Sequence, residues 1–511
     1  MKEFFCLSSQ VFQILVKAFG AAALRAKEGG FDMVEIHGHV GYLIDQFISG
    51  LWNKRTDEYG GSLDNRMRFV IELINEIRKK VGPDYPISFR LAVDHGIPGG
   101  RSIEESQEIA RRLEAAGVNA IHTDAGCAES IELIFPTVYM GDACLAYTAK
   151  AIKEVVTIPV IAVGNMTPET GAEILASGQA DFIAFGRQLI ADPDFPAKVK
   201  KGWTMNIRPC IRCNEKCVGT AFNHLPISCS VNPMTGKEKY YELKKSETPK
   251  RILVVGGGPA GMEAARIARL RGHEVILMEK SDTLGGQLRA AGASGFKKEL
   301  HGLVGWYKLQ MEKTGVDIRM NEAATLDKIK RINPDAVVLA TGAVPVKPNL
   351  PGIDGKNVIG VTDFYIHGTP VRGDRVVVAG GGLSGCDAAL DIAGTGKQVT
   401  IVEGQPELAI GMNVVSRISL LGRLVKAGVV MKTGHIIKAF RPEGLLVADR
   451  EGSEHLLSAD SIILAMGMKS DNPLLAQLRE TVEELYEIGD CVGPAKVSEA
   501  IQSGFVAGWR I

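Results

Sequence analysis

A strand, a glycine turn and a helix occur twice in this chain at the same spacing. RILVVGGGPAGMEAARIARLRGHEVILMEK spans 251–280 and RVVVAGGGLSGCDAALDIAGTGKQVTIVEG spans 375–404. Each carries G-x-G-x-x-G after an apolar run: Gly256, Gly258 and Gly261, then Gly380, Gly382 and Gly385. In such a loop the first glycine makes the turn, the second lets the backbone approach a pyrophosphate, and the third lets helix and strand pack closely. The helix N-terminus then faces the phosphates with its unsatisfied N–H groups. An acid follows each last glycine by 18 residues, Glu279 and Glu403, where a ribose hydroxyl is held. The repeat is a duplicated mononucleotide-binding unit, which commits the second half of the chain to dinucleotide binding. If the second loop holds the nicotinamide cofactor, Glu403 favours NADH, because a carboxylate accepts a 2′-OH and repels a 2′-phosphate.

The chain has 511 residues, enough for about three domains at roughly 150 residues each. Lys+Arg and Asp+Glu are both 59, so the net charge is zero. A nucleic-acid partner calls for a basic face and a membrane anchor for a polybasic stretch, so neither is expected. No stretch reaches the roughly 18 to 20 apolar residues of a membrane span. The N-terminal MKEFFCLSSQVFQILVKAFG is broken by Glu3, Gln13 and Lys17 and reads as an amphipathic helix rather than a signal peptide. Four of the nine cysteines fall within Cys210–Cys229, which fits a cytoplasmic metal site better than a disulfide framework.

Residues 1–204 alternate β runs (33–37, 87–91, 119–123, 159–163 and 181–185) with amphipathic helical runs. Repeated βα units predict a parallel sheet, barrel or doubly wound. Five units are present where a (β/α)₈ barrel has eight. Residues 205–248 form a linker in which Cys210, Cys213, Cys217 and Cys229 are spaced x₂, x₃ and x₁₁. Thiolates suit zinc or iron–sulfur. The spacing is less regular than paired zinc knuckles, and a one-electron carrier is useful between a barrel and a flavin domain, so a 4Fe-4S cluster is favoured. Cys6, Cys127, Cys144, Cys386 and Cys491 are scattered and read as packing residues.

VVLATGAVP (337–345), containing Gly342, and EIGDCV (487–492) resemble two signatures of the two-dinucleotide flavoprotein disulfide reductase superfamily. That resemblance implies FAD on the first loop, NAD(H) on the second and Asp490 at the FAD ribityl chain. It implies a discontinuous FAD domain (249–370 with 475–511) and an inserted NAD domain (371–474). No C-x-x-x-x-C redox pair follows the first loop, which disfavours a disulfide reductase.

In the first part, His37-Gly-His-Val-Gly-Tyr42, Asn53-Lys-Arg-Thr-Asp-Glu-Tyr-Gly-Gly, Val163-Gly-Asn and Phe185-Gly-Arg resemble the Old Yellow Enzyme group of FMN barrels. Adding the cysteine loop and both dinucleotide loops narrows the resemblance to its three-cofactor branch, which includes 2-enoate reductase, 2,4-dienoyl-CoA reductase and trimethylamine dehydrogenase. Asp124-Ala-Gly-Cys127 looks most like 2-enoate reductases. The resemblance implies Tyr42 as proton donor and His37 as donor to the substrate carbonyl. It places Arg90 at the flavin pyrimidine and Gly164, Gly186 and Arg187 at the FMN phosphate. It implies an NADH-dependent ene-reductase, with electrons passing from NADH to FAD, the cluster, FMN and a small unsaturated carbonyl substrate. The group's second His or Asn falls two places before the tyrosine; here that place is Val40, with His39 one earlier. Ala128 and Glu129 stand where dienoyl-CoA reductases carry a histidine.

The expected fold is α/β: a partial TIM-type barrel, the cluster linker and two Rossmann-like domains. Roughly three βα units fewer than the family barrel leaves strand edges open. A misplaced start, a companion chain or a fragment would each account for this, and a homo-oligomer is also open. A second reading keeps only the C-terminal half working, as an NADH:acceptor electron-transfer module, or leaves an inactive fragment. An amine dehydrogenase is a further alternative.

Overall fold

A computed structural model describes residues 9–511, which form two compact units, 9–186 and 187–511. Cys6 lies outside the described residues.

The first unit is built on five parallel strands in sequence order: β1 (Val34–Gly38), β2 (Ile87–Asp94), β3 (Ala120–Ala125), β4 (Val160–Ala162) and β5 (Phe182–Ile183). Among the described residues β1 and β5 each pair on one side only. Ile36, Phe89, Leu91 and Ile121 turn to the helical side and are buried. The helix Leu63–Val81 presents Met67, Val70, Leu73, Ile74, Ile77 and Val81 to that core, the i, i+3, i+4 stripe of an amphipathic helix. Ser62 starts it by accepting the Asn65 N–H at 3.3 Å. The helix Ser9–Glu28 packs on it, with Phe12 fully buried against Phe47, Tyr59 and Phe69. The amphipathic helix read from the sequence is therefore present from Ser9 onward.

The second unit holds two five-stranded parallel sheets. One runs Leu485–Glu487, Ala336–Leu339, Arg251–Val255, Glu274–Met278, Asp317–Arg319. The other runs Val358–Gly360, Ser461–Leu464, Arg375–Ala379, Gln398–Glu403, Val430–Thr433. Each central strand leads into a glycine loop. Four residues of each are buried and apolar after an exposed arginine, as a strand covered on both faces requires. The chain returns to the first sheet only after completing the second. No helix among the described residues is long and apolar enough to cross a membrane.

The helix Pro259–Leu270 that follows the first loop packs along the helix Val497–Arg510. Gly504 and Gly508 make the approach: an added Cβ would lie 2.1 Å from the Ala260 carbonyl oxygen and 2.6 Å from that of Ala264. Gly504→Ala is therefore expected to cost about 1–3 kcal/mol through overpacking. It should lower the thermal midpoint of the second unit and its hold on FAD, read by calorimetry and flavin fluorescence.

Candidate functional site

Three adjacent strands bring polar side chains to one face of the first unit. Register places His37 of β1 opposite Arg90 of β2, and Arg90 opposite His122 of β3. Catalytic groups of parallel barrels gather at such strand ends. Beyond β1 the chain turns sharply, with Val40 at φ +62° and Gly41 at φ +73°. A β-branched residue in the left-handed region is strained, and two buried anchors hold it. Asp45 accepts the Gly41 N–H at 2.8 Å and pairs with Arg101 at 2.7 Å and His95 at 3.3 Å; all three side chains are inaccessible. The turn delivers Tyr42 to the N-cap of the helix Leu43–Ile48, 63% exposed, its ring 5.2 Å from that of His37. His37 in turn lies 4.2 Å from the His39 ring.

The shifted histidine acquires its own place. His39 is buried, with Nδ1 3.3 Å from Asp124 Oδ2, close but off the line of a hydrogen bond. Asp124 accepts from Arg90 Nε at 3.1 Å, from Arg90 Nη2, and from its neighbour's N–H (Ala125) at 2.8 Å. A carboxyl receiving three donors acts as a carboxylate, although burial pushes its pKa up against the pull of Arg90. Burial first, and the Arg90 charge second, lower the pKa of His37 and take that of His39 down to about 2. Both imidazoles are neutral near pH 7. They can donate hydrogen bonds without adding charge to the Arg90 guanidinium.

Gly164, two residues beyond β4, has φ +113°, and an added Cβ there would meet Leu145 at 2.7 Å. The Cβ side of Gly186 is open. Arg187, expected at the FMN phosphate, directs Nη1 to Asn214 Oδ1 at 2.5 Å and lines the cysteine cavity of the second unit.

The two dinucleotide loops repeat each other atom for atom. Gly256 and Gly380 have φ +112° and +113°, and an added Cβ on either would sit 2.3 Å from a carbonyl oxygen of the neighbouring strand end. A Cβ on Gly261 or Gly385 would fall 2.0 Å from the oxygen of the first glycine in its loop. Above Gly258 and Gly382 there is open space, as a pyrophosphate lying on the backbone requires. Glu279 Oε2 accepts the Gly257 N–H and Glu403 Oε2 the Gly381 N–H, both at 2.7 Å. Their Oε1 atoms accept the N–H of Ser281 and of Gln405 at 2.8 Å. Each carboxylate is thus fixed at its strand tip beside the loop. Gly342 has φ +79°, and Asp490 is half-buried with its pKa raised by burial.

Cys210, Cys213, Cys217 and Cys229 line one small cavity, with Arg187 and Lys216 on its wall. Burial pushes Cys213 up to about 12 and Cys229 to about 11, so thiolates here call for a compensating cation. Among the described residues no three His, Cys, Asp or Glu side chains converge closely enough to hold one ion. The four thiols are instead distributed around a space. A set of four cysteines suits soft metals, as iron–sulfur or zinc. Cys213 Sγ also lies 3.3 Å from Ser230 Oγ. Its carbonyl accepts from Asn413 Nδ2 at 2.8 Å and Ser416 Oγ at 3.2 Å, at the start of the helix Val414–Lys426.

Sequence reasoning brought together His37, Tyr42 and Arg90, the four cysteines, and both glycine loops with their glutamates. It missed Asp45, His95, Arg101 and the partnership of Asp124 with Arg90. Arg90 lies opposite His122, two residues before Asp124 on β3, so this pair is diagonal across neighbouring strands and carries no signal in the sequence. Of the cysteines read as packing residues, Cys127, Cys386 and Cys491 are buried, whereas Cys144 is only partly so.

Residues 5–206 match the NADH:flavin oxidoreductase / NADH oxidase family and residues 250–504 the pyridine nucleotide-disulphide oxidoreductase family. The chain is 41% identical to an NADH oxidase of Thermoanaerobacter brockii over 97% of its length and 77% of the relative's. It is 39% identical to a cinnamate reductase of Clostridium sporogenes, over 98% and 77%. Among solved structures, a 2-naphthoyl-CoA reductase in complex with 2-naphthoyl-CoA superimposes with a TM-score of 0.94 at 34% identity, covering 99% of this chain and 77% of that one.

His39 gives the first unit a pH signature. Its pKa is depressed in the fold, so unfolded chains take up the proton first. Stability is complete above about pH 6.5 and falls as pH drops toward the folded value, by about 1.4 kcal/mol per unit. Hydrogen exchange of residues 9–186 should show lower protection at pH 5.5 than at pH 7, and His39→Gln should flatten that difference.

Proposed function

Because this chain belongs to the NADH:flavin oxidoreductase / NADH oxidase family, we propose that it is an NADH-dependent reductase of the 2-enoate type, acting on a carbon–carbon double bond conjugated to a carboxylate or thioester. The observation that carries this reading is the grouping of Tyr42, neutral His37 and the Asp124-held Arg90 beside one another at adjacent strand ends. FMN, FAD and a 4Fe-4S cluster, when bound, would supply carriage of electrons from NADH to the alkene. The chain's own residues supply the rest. Tyr42, exposed at its helix N-cap, presents its hydroxyl as proton donor to the α-carbon. His37 donates to the substrate oxygen as negative charge gathers there. Arg90, kept in one orientation by Asp124, would meet the flavin pyrimidine. Glu403 and Glu279, each held at its strand tip by a loop N–H, would accept the adenosine ribose hydroxyls of NADH and FAD.

The cinnamate and naphthoyl-CoA reductases among its relatives support an aryl-conjugated alkene as the substrate class. Chain purified without oxygen should contain FMN, FAD and iron and should reduce cinnamate with NADH. FAD and iron without FMN would overturn the ene-reductase reading. Tyr42→Phe should lower alkene reduction by about 10²- to 10⁴-fold while leaving NADH oxidation by an artificial dye unchanged. Glu403→Arg should raise the KM for NADH and narrow its advantage over NADPH by about tenfold or more, measured in the same dye assay.

A further inference from the structure

The cysteine cavity depends on a residue outside the cysteine loop. Gln188, in the helix Arg187–Ala191, reaches the loop with both ends of its amide. Its Oε1 accepts the N–H of Cys210 at 2.9 Å, and its Nε2 donates to the carbonyl of Arg208, also at 2.9 Å. Pro209 between them has no N–H. The remaining N–H of this stretch, that of Arg208, is taken by Asp192 Oδ2 at 2.8 Å. One side chain therefore straddles the approach to the first cysteine and fixes the peptide from which Cys210 projects.

The same helix secures the far end of the loop. The carbonyl of Ile190 accepts from Asn232 Nδ2 and from Thr235 Oγ1, both at 3.1 Å, just beyond Cys229. Between these anchors the loop is tightly bent. Arg212 and Asn214, which flank Cys213, both have left-handed backbones, at φ +51° and +57°. Both are buried. Two such residues around one ligand make a shape that an unanchored loop would relax.

We propose that Gln188 is a positioning residue for the metal centre, holding Cys210 in its ligating posture before any metal arrives. This inference rests on the reading of the four cysteines as cluster ligands. The amide is suited to the task because it offers one acceptor and one donor on a planar fork. A carboxylate of the same length offers only acceptors, and an apolar side chain offers neither. Outer groups of this kind orient a ligand without touching the metal, and their loss weakens metal binding by about 10- to 100-fold.

The test uses the full chain, reconstituted anaerobically with ferrous iron and sulfide. Iron release to a chelator is followed together with the electron paramagnetic resonance of the reduced centre. Gln188→Leu should release iron about tenfold faster than the wild type, with a shifted or broadened resonance and unchanged flavin content. Gln188→Glu keeps the acceptor for Cys210 and loses the donor to Arg208, so its release rate should fall between the two. A Gln188→Leu chain with wild-type release and resonance overturns the inference. So does a variant that loses flavin and iron in parallel, since that marks general destabilisation. If Gln188→Leu does not fold, Gln188→Glu decides the matter by the same readouts. A wild-type chain that takes up no iron instead removes the cluster reading on which the inference stands.

Discussion

Parallel strands can survive only when both faces of their sheet are covered, which leaves the strand tips as the places where polar groups can gather. The two dinucleotide sheets obey this fully. Their central strands are buried from end to end after the first residue, and their glycines and glutamates sit at the tips. The sheet of the first unit obeys it on one face, where Phe89, Leu91 and Ile121 meet the helices. Its other face carries Glu35, Arg90, His122 and Asp124, and these stabilise one another by pairing. Glu35 meets His122 at 3.1 Å, and Arg90 meets Asp124. The buried Asp124 carboxylate is tolerated there because the partly exposed Arg90 guanidinium pairs with it.

The parts of the fold and site that were legible in the sequence are those where backbone geometry dictates residue type. Gly256 and Gly380 must accept positive φ, and Gly261 and Gly385 must lack a Cβ, so the loops announce themselves. Four cysteines in twenty residues do the same. Less visible were residues that act through a partner distant in the chain. Asp45 serves Arg101, Asp124 serves Arg90, and Gln188 serves Cys210. Nothing in a single sequence ties such positions together, because only the packed structure brings them near.

His39 shows the same limit from another side. By position it stands one residue away from the histidine that the resemblance implies, which reads as a displaced ligand for the substrate. In the fold, Val40 takes a left-handed conformation and the side chain of His39 turns inward to Asp124. The backbone absorbed the shift, and the residue changed neighbours. A linear spacing argument cannot see that, since it assumes that one residue always advances the chain by the same amount in the same direction.

The interrupted flavin sheet carries a consequence for synthesis. The ribosome delivers Arg251–Val255 and the first glycine loop early, yet the edge strand of the same sheet, Leu485–Glu487 beside Ala336–Leu339, emerges more than two hundred residues later. The helix that buries Ala260 and Ala264 emerges later still. The inserted nucleotide sheet, with all its strands between Val358 and Leu464, is complete before that. The first sheet is therefore completed last, after its inserted neighbour, and the helix that follows its glycine loop must wait, one side bare, for the end of the chain to cover it.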